Sequence, residues 1–420
     1  MRLNESSQPD VVHAQRDERN PGIDLLRGIP ILLVVLHHTG LRIPLKHTAL
    51  AGFLPQWLLD GLNYNGYEAV FVFFVISGFL ITGNTLKRWG SLDRIDIKAF
   101  YARRFARIMP CLLLLVIVLS GLHLLGVDDY VINRAGQSLP HAIVAALGLH
   151  LNWYEGHTGY LPGNWDVLWS LSIEEVFYIG FPIVCLLTRR VWILVPLLVV
   201  LALSLPSTHA ALADNEIWQE KAYLPGMAAI ATGVLGALLA ARWPVWPPRA
   251  ITLLGWLGAI GLGAVMLDGR ALWHLLHDGY MLVLTLSALC LVLATTQRRA
   301  RGGWSSMRGL GWLRSFGRLS YEIYLTHMFV VYAIVRLFKA TGSDIGLGYL
   351  WYVPAVLLSW LLGMLVARIV SVPSDLALRG MLLKPVVQTE RRDMMNVEAV
   401  VAGGERKSVT DMASCTDNNR

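Results

Sequence analysis

Residues 23–41 read IDLLRGIPILLVVLHHTGL. The stretch is apolar and close to the ~20 residues that a bilayer-spanning helix needs. It nevertheless carries Asp24 and Arg27 near one end and His37 and His38 near the other. Ionisable side chains inside a membrane helix are costly, so they normally face protein or a water-filled cavity and mark a site. At 3.6 residues per turn the step from Arg27 to His38 closes about three turns, which puts both on one face roughly 16 Å apart. His37 points about 100° away from that face. The first helix therefore presents a polar rail that runs most of the way across a membrane.

Working outward, the composition agrees with a membrane protein. The 420 residues are 55% hydrophobic and 15% charged, and the mean hydropathy is +0.51. So apolar a chain with repeated long apolar runs is expected to be all-α and polytopic rather than two or three soluble domains. Ten spans are expected, at about 23–41, 69–86, 109–125, 166–187, 191–205, 223–241, 251–267, 279–296, 318–338 and 349–370. The segment 141–153 (HAIVAALGLHLNW) is too short to cross and is expected to be re-entrant or interfacial. The net charge of +7 then reports orientation rather than nucleic-acid binding. With 141–153 not crossing, sixteen Lys and Arg fall in inner loops, among them Lys87, Arg88, Arg189, Arg190, Arg298 and Arg299, against six in outer loops. That bias places both termini in the cytoplasm.

The expected organisation is a cytoplasmic N-terminal tail over 1–22, a membrane domain over 23–370, and a polar cytoplasmic tail over 371–420 with a disordered composition. The first 22 residues hold no apolar core, so no cleavable signal peptide is expected and span one is its own insertion signal. Cys111, Cys185, Cys290 and Cys415 are far apart, and no Cys/His spacing suggests a metal site or a disulfide framework.

Several further groups can carry chemistry. In WSLSIEEVFY (169–178), Ser170, Glu174 and Tyr178 recur every four residues and share a helix face, with Glu175 elsewhere. In LSYEIYLTH (319–327), Ser320, Tyr324 and His327 do the same, while Glu322 lies on another flank. Position within each span gives His38, Glu174 and His327 overlapping middle-to-outer depths, compatible with one shared cavity. A neutral imidazole suits removal of a hydroxyl proton, so His38 reads as a catalytic base, His327 as a second histidine, and Glu174 as a group that orients a histidine or binds hydroxyls. The alternative for each is a helix-packing hydrogen bond. Arg27 reads either as an interfacial anchor beside Asp24 or as a clamp for a donor's phosphate or carbonyl. Arg103, Arg104 and Arg107 form a basic cluster beside the membrane, which fits orientation, anionic lipid or phosphate binding.

Five stretches in order along residues 20–370 resemble the acyltransferase family 3 proteins, integral-membrane O-acyltransferases of surface glycans and small glycosides. They are the Arg27–His38 pattern, FFVISGFLIT at 73–82, RRFAR at 103–107, WSLSIEEVFY and LSYEIYLTH. The resemblance implies that His38 is the catalytic histidine and that the Arg103–Arg104–Arg107 motif binds an acyl-CoA donor, with no permanently bound cofactor. One departure is local: the family's common Gly-Val-Asp before FFVISGFLIT is here Ala69-Val70-Phe71, with Glu68 one turn outward. Some relatives carry a further SGNH-type domain, which is not expected here. The expected function is transfer of an acyl group, in the first place acetyl, from cytoplasmic acyl-CoA to a sugar hydroxyl. The acceptor is a surface glycan, a lipid-linked glycan or a glycosylated small molecule, and the location is a bacterial cytoplasmic membrane. The competing reading is a transporter or flippase that uses the intramembrane His, Glu and Arg as a substrate or proton site.

Overall fold

The computed structural model describes residues 20–302 and 309–383, and among these no β-strand occurs. The expected tail residues 1–19 and 384–420 lie outside the described residues. Helix α1, Pro21–Gly40, starts two residues before the expected span because Asn20 caps it. The Asn20 side chain accepts the Gly22 N–H at 3.0 Å. Pro21 occupies the first turn, where its missing N–H costs nothing, and Asp24 complements the positive end of the helix dipole. Helix α2, Gly66–Trp89, ends on Gly90 at φ +76°, a left-handed cap that a side chain disfavours.

The chain continues through α3 (Ile97–Leu124), α4 (Trp169–Thr188), α5 (Val191–Leu203) and α6 (Tyr223–Arg242). It then forms a hairpin of α7 (Pro248–Leu276) and α8 (Tyr280–Ala300), followed by α9 (Ser320–Ala340), α10 (Tyr352–Val366) and α11 (Val372–Leu382). Each expected span falls on one of α1–α10. Among the described residues, eight stretches are long and apolar enough to cross a membrane, one of them 248–300, which contains both α7 and α8. Helix α5 is shorter, at 13 residues. Segment 141–153 lies in two short helices, Leu139–Leu147 and Leu151–Thr158, broken where Leu149 takes φ +60°. Neither is long enough to cross.

Lipid-facing and protein-facing sides separate cleanly. Ile117, Val200 and Leu253 are 67%, 69% and 59% exposed, while Phe71, Phe74 and Ile230 are buried. So much exposed apolar surface fits a bilayer and not water. In lipid, helix association depends on close backbone approach, which small residues permit. Helices α2 and α6 meet in this way: a Cβ on Gly78 would run into the Ile230 carbonyl, and one on Gly233 into the Val75 carbonyl. Helix α1 packs likewise on the short helix Gly311–Arg318.

Beyond the last expected span, a π-helical turn at Ala367–Ser371 leads into α11, which lies along α3. Within α11, Arg379 pairs with Asp375 one turn earlier at 2.7 Å.

Candidate active site

A cavity of about 650 Å³ lies among α1, α2, α3, α4, α6, α8 and α9. Its lining runs along α2 from Lys87 to Val70, a length of about 26 Å at 1.5 Å per residue. One end lies where α1 begins and α2 and α8 finish, at Asn20, Lys87 and Arg299. The other end lies where α2 and α4 begin, at Val70 and Ser170. Phe73, Phe74 and Leu80 of α2 make the apolar wall. The polar wall carries five cations, Arg27, Lys87, Arg104, Arg107 and Arg299, against the two carboxylates Asp24 and Glu174. A low-dielectric cavity with that balance attracts an anion.

The three arginines of the RRFAR stretch separate. Arg104 lies over the Tyr178 ring at 4.7 Å and Arg107 over the Tyr321 ring at 5.4 Å, both at the cavity wall. Arg107 also pairs with buried Glu322 at 3.3 Å and donates to Ser371 Oγ at 3.2 Å. Arg103 turns away, with Arg88 and the Arg379 and Asp375 of α11 as its electrostatic neighbours. Of the three arginines expected to act together, Arg104 and Arg107 line the cavity and Arg103 does not.

Glu174 sits in this cavity and not beside a histidine. Ser77, Arg27, Arg104 and Tyr178 are its polar and charged neighbours. Ser77 and Tyr178 are themselves joined at 2.5 Å. Ser170 Oγ donates to Tyr324 OH at 2.7 Å, and Ser320 Oγ reaches no partner among the described residues. Glu68 does not line the cavity. It lies in the first turn of α2, with Glu220 as an electrostatic neighbour. Asp24, buried, joins Arg27 at the cavity end.

His38 and His327 meet. His327 Nε2 lies 3.3 Å from His38 Nδ1, and the ring centroids are 4.9 Å apart. His327 is fully buried and its Nδ1 lies 2.8 Å from the Tyr324 carbonyl. His38 Nδ1 also lies 2.9 Å from the Val34 carbonyl. A carbonyl accepts only, so both Nδ1 atoms carry protons and both Nε2 atoms carry lone pairs in the neutral rings. His38 Nε2 is thus left to act as a base, and the ring is half-buried rather than sealed. Arg42 braces the same turn, donating to the His38 carbonyl at 2.9 Å. His37 points elsewhere, its Nδ1 2.9 Å from the Asn63 carbonyl and its ring against Gly66.

A family model described as "Acyltransferase domain" matches residues 20–369. The chain belongs to this acyltransferase family. Among curated proteins it is 26% identical over 357 residues to "Putative O-acetyltransferase SACOL0978" of Staphylococcus aureus (strain COL), covering 77% of this chain and 52% of that protein. It is 24% identical over 381 residues to O-acetyltransferase OatA of Staphylococcus aureus (strain NCTC 8325 / PS 47), covering 84% of this chain and 57% of the relative. The chain thus spans about half the length of the curated relatives it matches. No solved structure matches it. Membership of this family and the eight long apolar stretches among the described residues make the chain an integral membrane protein of that family.

Two cavity residues, Lys87 and Arg299, were not singled out in the sequence, nor was Ser77. The first two looked like ordinary cytoplasmic orientation charges. Ser77 lies within FFVISGFLIT, where spacing from the stretch alone does not say which face meets a neighbour.

Proposed function

We propose that this chain is a membrane O-acyltransferase that moves an acyl group, acetyl in the first place, from acyl-CoA to a hydroxyl of a carbohydrate or glycosylated acceptor. The observation that carries this reading is the cavity, cationic at one end and reaching at the other Tyr324, whose backbone carbonyl holds His327 of the His38–His327 pair just outside the lining. Phosphates of the donor would occupy the end lined by Lys87, Arg104, Arg107 and Arg299, since guanidinium forks match phosphate oxygens. The remaining length suits a long flexible thioester arm, with the reactive carbonyl at the Ser170–Tyr324 end. The bias of Lys and Arg makes the cationic end cytoplasmic and puts both termini on that side, with ten crossings in a bacterial cytoplasmic membrane.

His38 Nε2 takes the proton of the acceptor hydroxyl as its oxygen attacks the thioester carbonyl carbon. The tetrahedral species collapses, the C–S bond breaks, and the CoA thiolate leaves with the proton returned by His38. His327 acts through His38 by holding the ring in the tautomer that leaves Nε2 free. Glu174, held among Arg27, Arg104, Ser77 and Tyr178, shapes the donor cavity.

Purified chain in nanodiscs, given acetyl-CoA and methyl hexopyranosides, should release free CoA and yield an acetylated glycoside by mass spectrometry. Movement of glycoside across the bilayer with no thioester cleavage would instead support the transporter reading and overturn this one.

A further inference from the structure

The Ser170–Tyr324 pair has no part in the base chemistry, yet its placement is specific. Ser170 lies in the first turn of α4 and is buried, whereas Tyr324 is half-buried, and both line the cavity. Ser170 Oγ donates to the Tyr324 oxygen at 2.7 Å. A phenol that accepts one hydrogen bond keeps its own proton for another acceptor. Among the described residues no hydrogen bond uses the Tyr324 proton. The same residue holds the histidine pair from behind, because its backbone carbonyl accepts from His327 Nδ1 at 2.8 Å. One residue thus links the cavity end to the His327–His38 contact.

We propose that the Tyr324 hydroxyl is the donor to the thioester carbonyl oxygen, and that Ser170 is the positioning residue that aims it. This rests on the reading of the cavity as the donor site. As the acceptor oxygen bonds to the carbonyl carbon, the C=O electron pair moves to oxygen, and the Tyr324 O–H bond stabilises that oxyanion without giving up its proton. The pair returns to re-form C=O as the C–S bond breaks, and the thiolate leaves as CoA. A preorganised donor of this kind acts mainly on the transition state, so it changes kcat and not the affinity for CoA.

The test uses the full chain in nanodiscs with acetyl-CoA as donor and methyl hexopyranosides as acceptor probe. Tyr324→Phe should lower kcat about 10²- to 10³-fold, the usual loss for one oxyanion donor. The CoA dissociation constant and the thermal midpoint should stay at wild-type values. Ser170→Ala, which leaves the phenol present but unaimed, should lower kcat by about tenfold, the worth of one hydrogen bond. Wild-type kcat in Tyr324→Phe, or a loss that appears equally in CoA affinity and thermal midpoint, overturns the role of Tyr324 alone. Absence of CoA release by the wild-type chain, with the glycoside or with water as acceptor, overturns the donor-site reading and this proposal with it.

Discussion

His327 Nε2 stands 3.3 Å from His38 Nδ1, two imidazoles from helices α9 and α1 meeting at a steep angle of 66°. Because each Nδ1 also faces a backbone carbonyl, the contact works only with the His38 proton on Nδ1. The pair is therefore a tautomer lock, and the atom it releases for chemistry is His38 Nε2.

That lock separates three substitutions. His38→Ala should lower CoA release about 10²- to 10⁴-fold, the usual loss of a general base. His327→Gln should cost about tenfold, as for one hydrogen bond. His37→Ala should keep most of the activity, since His37 faces Asn63 and Gly66. Steady-state CoA release at matched expression decides the order, and greater loss at His37 than at His38 refutes it.

The arginines should divide in the same way. Arg104→Gln should raise the KM for acetyl-CoA about 10- to 100-fold, the range for losing a charged hydrogen bond. Arg103→Gln should leave KM near the wild-type value, because Arg103 faces α11 and not the cavity. CoA titrations of both variants check this, and equal weakening would restore the three-arginine grip.

Close packing of α2 on α6 predicts a stability effect without a chemical one. Gly78→Ala forces a Cβ onto the Ile230 carbonyl, and overpacking of this kind costs typically about 1–3 kcal/mol. Thermal unfolding in detergent should show a lower midpoint, while the KM for acetyl-CoA of the folded fraction stays unchanged. An unchanged midpoint would show that the two helices separate freely there.

A buried charge cluster away from the cavity gives a larger effect. Lys221 Nζ lies 2.9 Å from Glu155 Oε2 and also pairs with Asp166, with Lys221 and Glu155 side chains only 2% and 0% exposed. Lys221→Met strands two carboxylates, and breaking a buried pair from one side costs about 3–5 kcal/mol. Adding Glu155→Gln should recover part of the loss, because one stranded charge is then removed. Equal stability of Lys221→Met and wild type, read by thermal unfolding, would mean that the cluster is not a structural tie.

The amino-acid order by itself determined that this is a helical membrane protein, because continuous apolar runs of about 20 residues satisfy their backbone in lipid as helices, whereas barrel strands are about half as long. Helical phase was also enough to set Ser170, Glu174 and Tyr178 on one face, to set Tyr324 and His327 on another, and to part His37 from His38. Phase says nothing about how one helix is rotated and offset against the next. Only the tertiary structure decided that His327 reaches His38, that Glu174 joins Arg27 and Arg104 instead, and that Arg103 leaves its two neighbours. The same holds for helix α11, whose place along α3 is a tertiary contact that its composition does not announce. Contacts between segments far apart in the chain depend on the packing of small residues such as Gly78 and Gly233, whose meaning appears only when the opposing backbone is in place.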